Sequence, residues 1–241
     1  MLIKTRGIVL KTTAFSESSV IAKIFTESLG MQSYLINGVK KPRAKIPMNF
    51  LQSLHLLEFV FNQKSGGGLQ RLSEANLSPA FRSIPYNLIK NTIVQFLNEV
   101  IYKSVHQDHK DENLFHFIYH ALCWFDEVEE ADVNFHLSFL LKLSRYLGFG
   151  PNLENNPLGN FFDLQEGDYQ FMPPAHPYYL EKEDANAFFL LYQTSFENLN
   201  EIFLTRSQRK SLLDKILIYY NLHTASFGQI KSHLVLEEIL S

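Results

Sequence analysis

Four positive charges crowd one short stretch, Asn37-Gly38-Val39-Lys40-Lys41-Pro42-Arg43-Ala44-Lys45. Side chains of that type at that density neutralise the phosphates of a polyanion and release its counterions. Pro42 stiffens the arm, so less conformational freedom is lost when it closes on a ligand. A solvated surface loop has the same composition, and the element that carries the stretch decides between the two readings. Other chemistry is weaker. Glu112, His116 and His120 sit at i, i+4 and i+8, on one helix face, with His106 and His109 upstream, a set from which a metal site can be built. The His-Glu-x-x-His spacing of a zinc protease is missing, and amphipathic helices place polar residues at this interval routinely, so no metal is expected. Cys123 lies between Leu122 and Trp124 in an apolar run and reads as a packing thiol. It is the single cysteine, which excludes an intramolecular disulfide and a cysteine zinc knuckle. Gly66-Gly67-Gly68 lacks the Lys-Ser/Thr pair and following helix of a phosphate loop and reads as a hairpin turn. No motif brings a nucleophile, a base and an oxyanion donor together. An enzyme is not expected, and neither are catalytic residues, a cofactor or a small-molecule substrate.

The elements that carry the basic stretch read as strands. Gly7 to Thr13 and Val20 to Thr26 are short and rich in β-branched residues, with turn chemistry at Ser16-Glu17-Ser18-Ser19 and Ser28-Leu29-Gly30. Gln32, Tyr34 and Ile36 alternate with Met31, Ser33 and Leu35, the period of two imposed by a pleated strand. Leu54 to Phe61 and Leu69 to Ala75 supply a fourth and a fifth. Five short antiparallel strands in this span fit a small closed barrel of the OB type, with a sandwich fragment as the alternative. The basic stretch then joins strands three and four. Of the aromatic residues on this part (Phe15, Phe25, Tyr34 and Phe50), Phe15, in a turn, is expected to be exposed.

Past Pro79 the period changes. Leu88, Ile89, Thr92, Ile93, Phe96, Leu97, Val100 and Ile101 recur at helical spacing, as do apolar residues over Asn113–Phe125 and Val133–Leu147. Residues 152–177 are rich in Pro, Asn and Gly, with a small hairpin expected from Phe161–Leu164 and Tyr169–Met172, and helices resume near Lys182. Asp126-Glu127-Val128-Glu129-Glu130 and Asp132 read as a solvated linker that keeps nucleic acid away. The predicted fold class is α+β: a five-stranded OB-fold barrel over residues 1–80, then an all-helical domain over 81–241 with a small hairpin insertion at 151–177.

Charge divides in the same way. Residues 1–80 hold ten Lys or Arg against four Glu, a net +6, whereas residues 81–241 hold twelve against twenty-one, a net −9. A basic head attracts polyanions and an acidic body repels them. At 241 residues, 46% hydrophobic and 14% aromatic, the chain supports a proper core. The N-terminus lacks the apolar run of a secretory signal, and no uncharged apolar stretch approaches the ~20 residues needed to span a bilayer. A soluble cytoplasmic protein with no membrane contact is expected.

Three ordered segments resemble one family. Gly7-Ile8-Val9-Leu10-Lys11, Phe15-Ser16-Glu17-Ser18, Ile24-Phe25-Thr26-Glu27, Gly30 and Gly38-Val39-Lys40-Lys41-Pro42 are similar to the head of RecO, the bacterial recombination mediator. Phe139 to Leu153, through Leu147-Gly148-Phe149-Gly150-Pro151, resembles its central helix and the exit from it, and Tyr219-Tyr220-Asn221-Leu222-His223 through Leu236 its closing helices. The resemblance implies binding of single- and double-stranded DNA and annealing of complementary strands coated by single-stranded-DNA-binding protein. It further implies joint action with RecR in loading RecA, nucleoid association and no catalytic residues. One departure stands out: many members carry paired Cys-x-x-Cys just after the Gly-Pro exit, near Asn156 and Gly159 here, and residues 151–241 contain no cysteine. Phe161, Phe162, Tyr169 and Phe171 are expected to replace that metal by apolar packing. DNA is expected at Lys40, Lys41, Arg43 and Lys45, helped by Arg6 and Lys11. The acidic, Phe-terminated tail of single-stranded-DNA-binding protein needs a local basic and apolar pocket, for which Phe139, Lys142, Leu143 and Arg145 are the candidates. The alternative is an RNA-binding barrel module in translation or RNA processing, which competition between single-stranded DNA and RNA of equal length distinguishes.

Overall fold

The computed structural model describes residues 1–241 except 64–67, 106–109, 154–158, 226 and 241. Gly66 and Gly67 of the triple glycine, His106, His109 and Asn156 therefore lie outside the described residues. Five strands, β1 (Leu2–Ala14), β2 (Val20–Thr26), β3 (Gly30–Ile36), β4 (Leu56–Asn62) and β5 (Gln70–Leu77), close into a barrel in the order β1-β2-β3-β5-β4. All pairings are antiparallel except the closing one, where Tyr34 and Leu35 of β3 face Gln70 and Arg71 of β5 in parallel. The five-stranded OB-type barrel expected from the sequence is present, and the β3–β5 seam is its one parallel pairing among antiparallel ones. With both seams paired, the barrel leaves no open sheet edge.

Alternation supplies the barrel core. Val9, Ala22, Ile24, Tyr34, Ile36, Phe59 and Phe61 turn inward, and the Tyr34 ring meets Phe59 and Phe61 edge-on at 5.1 and 5.2 Å. Gly7 is fixed by this packing, since a Cβ there would stand 2.5 Å from Ile24 Cγ2 and 2.6 Å from Phe59 Cε1. Gly7→Ala is expected to destabilise the barrel by about 1–3 kcal/mol through overpacking. The urea midpoint is the check, and an unchanged midpoint would show that the core yields freely.

By packing, the chain falls into two compact units, Met1–Glu129 and Glu130–Ser241. The change from strand to helix near residue 80 and this boundary are therefore different places. The first two helices, α1 (Leu88–Ser104) and α2 (Glu112–Glu127), belong with the barrel and are capped by Asn87 and Asp111, whose side chains accept from Lys90 N and Leu114 N. Phe25 of β2 meets Phe115 of α2 at 5.9 Å, and the Asn98 amide of α1 donates to the Leu10 carbonyl at 3.1 Å.

Asp126 corrects the reading of its acidic run as solvated linker: it is buried. Its carboxylate accepts from the backbone N–H groups of Arg82, Ser83 and Ile84 at 2.7, 2.9 and 2.9 Å, and from the Ser83 hydroxyl. Desolvation pushes its pKa up, but those donors outweigh it and hold the carboxyl below its ordinary value. Beside it, the buried Lys90 ammonium donates to Ser83 Oγ at 2.7 Å and to the Val128 carbonyl, which ties the start of α1 to the end of α2.

The second unit is built on α3 (Phe135–Tyr146), with α4 (Lys182–Gln193), α5 (Arg206–His223), α6 (His233–Ile239) and a three-stranded sheet of β6 (Phe161–Asp163), β7 (Asp168–Gln170) and β8 (Tyr179–Leu180), ordered β7-β6-β8. The expected hairpin is present, with β8 added at its side. Phe162 packs on Phe188, Tyr169 and Tyr219 at 4.5, 4.8 and 5.9 Å, and Phe161 meets Tyr179. Phe171 is 62% exposed and takes no part, contrary to expectation. A carboxylate ties the loop as well: buried Asp163 accepts from Gln165 N, Glu166 N and Gln170 Nε2 and lies 3.2 Å from His176 Nε2. Among the described residues no helix is long and apolar enough to cross a membrane.

Candidate nucleic-acid interface

The basic stretch is a loop clamped at both ends. Val39 and Ile46 are buried in the barrel core, so Lys40, Lys41, Pro42, Arg43 and Lys45 stand outside on a short tether. Gly38, at φ +73°, makes the first bend, and Lys41 N donates to its carbonyl at 3.1 Å. Pro42 follows in the second position of the next turn, closed by Ala44 N donating to the Lys41 carbonyl at 3.1 Å. Two tight turns and two apolar anchors therefore hold the cations out in a preset arrangement. Among the described residues no carboxylate pairs with Lys40, Lys41 or Arg43. Lys45 reaches Glu74 at 2.7 Å, with both side chains well exposed, a pair that water screens and a phosphate can displace.

Strand pairing assembles a second cationic element that sequence reasoning only half found. Lys11 of β1 and Lys23 of β2 are direct cross-strand partners. Like charges set opposite each other cost stability. Both ammonium groups approach the ring of Tyr102 on α1, at 5.1 and 5.4 Å from its centroid, which offsets part of that cost. Lys23 and Tyr102 were not singled out, because nothing short of the β1–β2 register places them beside Lys11.

Arg6 serves a different purpose. Its guanidinium donates two hydrogen bonds to Glu27, at 2.9 and 2.6 Å, and lies 4.9 Å from the Tyr119 ring centroid. It joins β1 to α2, and its donors are engaged by protein rather than open to phosphate. Glu27 is held below its ordinary pKa chiefly by the hydrogen bonds from Arg6. A depressed carboxyl adds stability above its unfolded value, near pH 4, and that stability is lost as pH falls through the lower folded value. Glu27→Gln is therefore expected to remove roughly 1 kcal/mol at pH 7, discounted for partial exposure, and to leave a shallower acid loss. Urea midpoints at pH 6 and pH 3 check this, and parallel acid profiles would contradict it.

The remaining candidates are placed as follows. Phe15 is 59% exposed, whereas Phe25 and Tyr34 are core. Glu112 pairs with Lys110, His116 stacks on His120 and lies 3.5 Å from Glu27, and among the described residues no group of three or more His, Cys, Asp or Glu is placed to hold a metal. The Cys123 thiol is pushed up by burial and by Glu127 and Asp126, the opposite of activation.

The pocket expected on α3 is corrected. Phe139 and Leu143 are fully buried, and Lys142 donates to the Tyr192 and Thr194 carbonyls at 2.5 and 2.7 Å, so only Arg145 of the four is on the surface. The α3 helix is buried on nearly every side, its polar His136, Ser138 and Ser144 included, because α4 and α5 both pack against it. Burial pushes the Lys142 pKa down to about 8. A basic and apolar pit does exist elsewhere in this unit. It measures about 60 Å3 and is lined by Arg206, Arg209 and Lys210 of α5 with Leu213, Leu236 and Leu240, and also by His136 and Glu237, the latter paired with Lys210 at 2.8 Å. Three cations thus occupy the start of α5, whose first turn holds no acidic residue, against the sense of the helix dipole.

Known families match nearly the whole chain in two consecutive parts, which meet at the change from strand to helix rather than at the packing boundary. The family model for the N-terminal part of recombination protein O matches residues 1–81, and that for its C-terminal part matches residues 85–232. Proteins named DNA repair protein RecO are similar over essentially their whole length. That of Flavobacterium psychrophilum is 36% identical over 245 residues, with 100% of both chains covered. That of Phocaeicola vulgatus is 33% identical over 241 residues with the same coverage, and that of Bacteroides fragilis 32% identical over 240 residues with 99% of each covered.

Proposed function

The chain belongs to the RecO family of DNA repair proteins, and on that premise we propose that it binds single- and double-stranded DNA and anneals complementary strands. In the same reading it acts with RecR to load RecA on DNA coated by single-stranded-DNA-binding protein. The observation that carries the proposal is the loop, anchored by Val39, Ile46 and two turns, whose exposed Lys40, Lys41 and Arg43 make no ion pair with a described carboxylate. Lys45 joins them by exchanging Glu74 for phosphate, and the Lys11–Lys23 pair extends the track onto the barrel wall. Annealing needs the mutual repulsion of two strands screened while most bases stay free to pair. Surface cations that grip phosphate do this without bond-making chemistry, in keeping with a family of repair mediators rather than enzymes. Charge is arranged to match, with residues 1–129 at net +3 and residues 130–241 at net −6. Fluorescence annealing of two complementary oligonucleotides, bare and coated, tests the reading. The full chain is expected to accelerate pairing of both, and no acceleration of bare strands would overturn it.

The α5 pit is the place proposed for the acidic, aromatic-ended tail of single-stranded-DNA-binding protein. Carboxylates near the start of α5 would meet its dipole together with Arg206 and Arg209, while Lys210 is already paired with Glu237, and an aromatic end would meet Leu213, Leu236 and Leu240. Arg206→Glu is expected to weaken an acidic Phe-terminated peptide at least tenfold in titration. The new carboxylate also complements the dipole, so the helix itself is not weakened. Undiminished affinity would remove the pit from the account.

A further inference from the structure

Beside the Lys11–Lys23 pair the first unit carries a cleft that phosphate binding does not use. It has a volume of about 460 Å3, within the range of about 300–1,000 Å3 typical of small-ligand sites. Val9 and Leu51 form an apolar floor, and the exposed amide side chains of Asn49, Gln52 and Gln95 stand around it, with Met48 at the edge. Lys11 belongs to both the cleft and the lysine pair.

The cleft wall is fixed in place. Thr12 Oγ1 donates to the Leu51 carbonyl at 2.9 Å, Leu54 N to the Val9 carbonyl at 2.7 Å, and Val9 N to the His55 carbonyl at 3.0 Å. Leu54 adopts φ +58°, a left-handed conformation that is costly for a branched apolar residue and persists only where its surroundings enforce it. The segment after the basic loop is thus bent back against β1 at some expense, and Leu51, Gln52 and Ser53, just before the bend, line the cleft.

We propose that this cleft receives one unpaired nucleobase of a bound strand, with the adjoining phosphate on Lys11 and Lys23. Three carboxamides offer both donors and acceptors at a base edge, a thioether and an apolar floor suit its faces, and cations at the rim suit its backbone. In a duplex the pairing edges are occupied, so the cleft distinguishes single from double strands at one position while leaving the neighbouring bases free. The assignment rests on the DNA-binding reading above and adds base recognition to it.

The test measures affinity of the full chain, by fluorescence anisotropy at fixed salt, for two strands of equal length and phosphate count. One carries bases and the other is abasic throughout. The wild type is expected to prefer the base-bearing strand by about tenfold. In Gln52→Ala/Gln95→Ala that ratio falls to near one, with affinity for the abasic strand within twofold. In Lys40→Gln/Lys41→Gln both strands weaken together and the ratio persists. Equal wild-type affinity for the two strands, or a double amide variant that retains the preference, overturns the cleft while leaving phosphate binding intact. If the wild type binds neither strand, the underlying DNA-binding reading falls with it.

Discussion

Changing Lys40, Lys41, Arg43 and Lys45 together to glutamine is expected to flatten the salt dependence of single-strand binding more than any other surface change. With the four loop cations and the Lys11–Lys23 pair all on phosphate, log affinity should fall with log salt at about −4, from −0.7 for each of six contacts. The fourfold variant keeps two contacts and a slope near −1.4, and at 0.1 M salt it should bind several hundredfold more weakly, on the order of 10^0.7 per lost contact. Folding is not at issue, because all four side chains are exposed and the loop is held by Val39, Ile46 and its own turns. Titrations at four or five salt concentrations check the prediction. An unchanged slope would place the phosphate contacts elsewhere.

The largest expected effect on stability belongs to Asp126→Ala. The substitution deprives three backbone N–H groups and the Ser83 hydroxyl of their acceptor and leaves the buried Lys90 ammonium without its neighbouring carboxylate. Breaking a buried charged network from one side costs about 3–5 kcal/mol, because the groups left behind stay desolvated. For a unit of this size that is a fall in melting temperature of roughly 10 °C or more. Lys90→Met replaces the charge by an apolar chain of similar length and should cost less, since burying that ammonium is itself unfavourable. Thermal melts of the two variants decide it, and an Asp126→Ala midpoint within 2 °C of wild type would mean water replaces the carboxylate, an expectation set by ~1 kcal/mol per few degrees.

The barrel was readable because its strands alternate and its turns carry the residues that turns require: Ser28-Leu29-Gly30 at the β2–β3 corner, and Gly38 at the head of the basic loop. The loop's charge was legible too, as was the insertion hairpin around Phe162 and Tyr169. What stayed hidden depends on register and closure. That β3 and β5 run parallel, and that Lys23 faces Lys11, follows from which strands meet, and local periodicity is silent on that. Asp126 sits in a run of acids that looks uniformly solvated, and only the distant turn at Arg82–Ile84 shows why one of them is buried. Arg6 looked like one more cation of a basic head until Glu27 and Tyr119 appeared beside it. Phe139 and Leu143 were candidates because they lie beside Lys142 and Arg145 on one helix, and spacing along a helix does not show that its neighbours bury that face. The pit on α5 could have been suspected from Arg206, Arg209 and Lys210 gathered at a helix start that holds no acid.

Where the strand lies is best measured by photo-cross-linking a single strand carrying bromodeoxyuridine to the full chain and mapping the attached peptides. Attachment is expected within residues 1–129, on the 40–53 segment, on β1 and β2 near Lys11 and Lys23, and near Tyr102 of α1. Cross-links concentrated on α4, α5 or α6, with the barrel unit unmodified, would contradict the account.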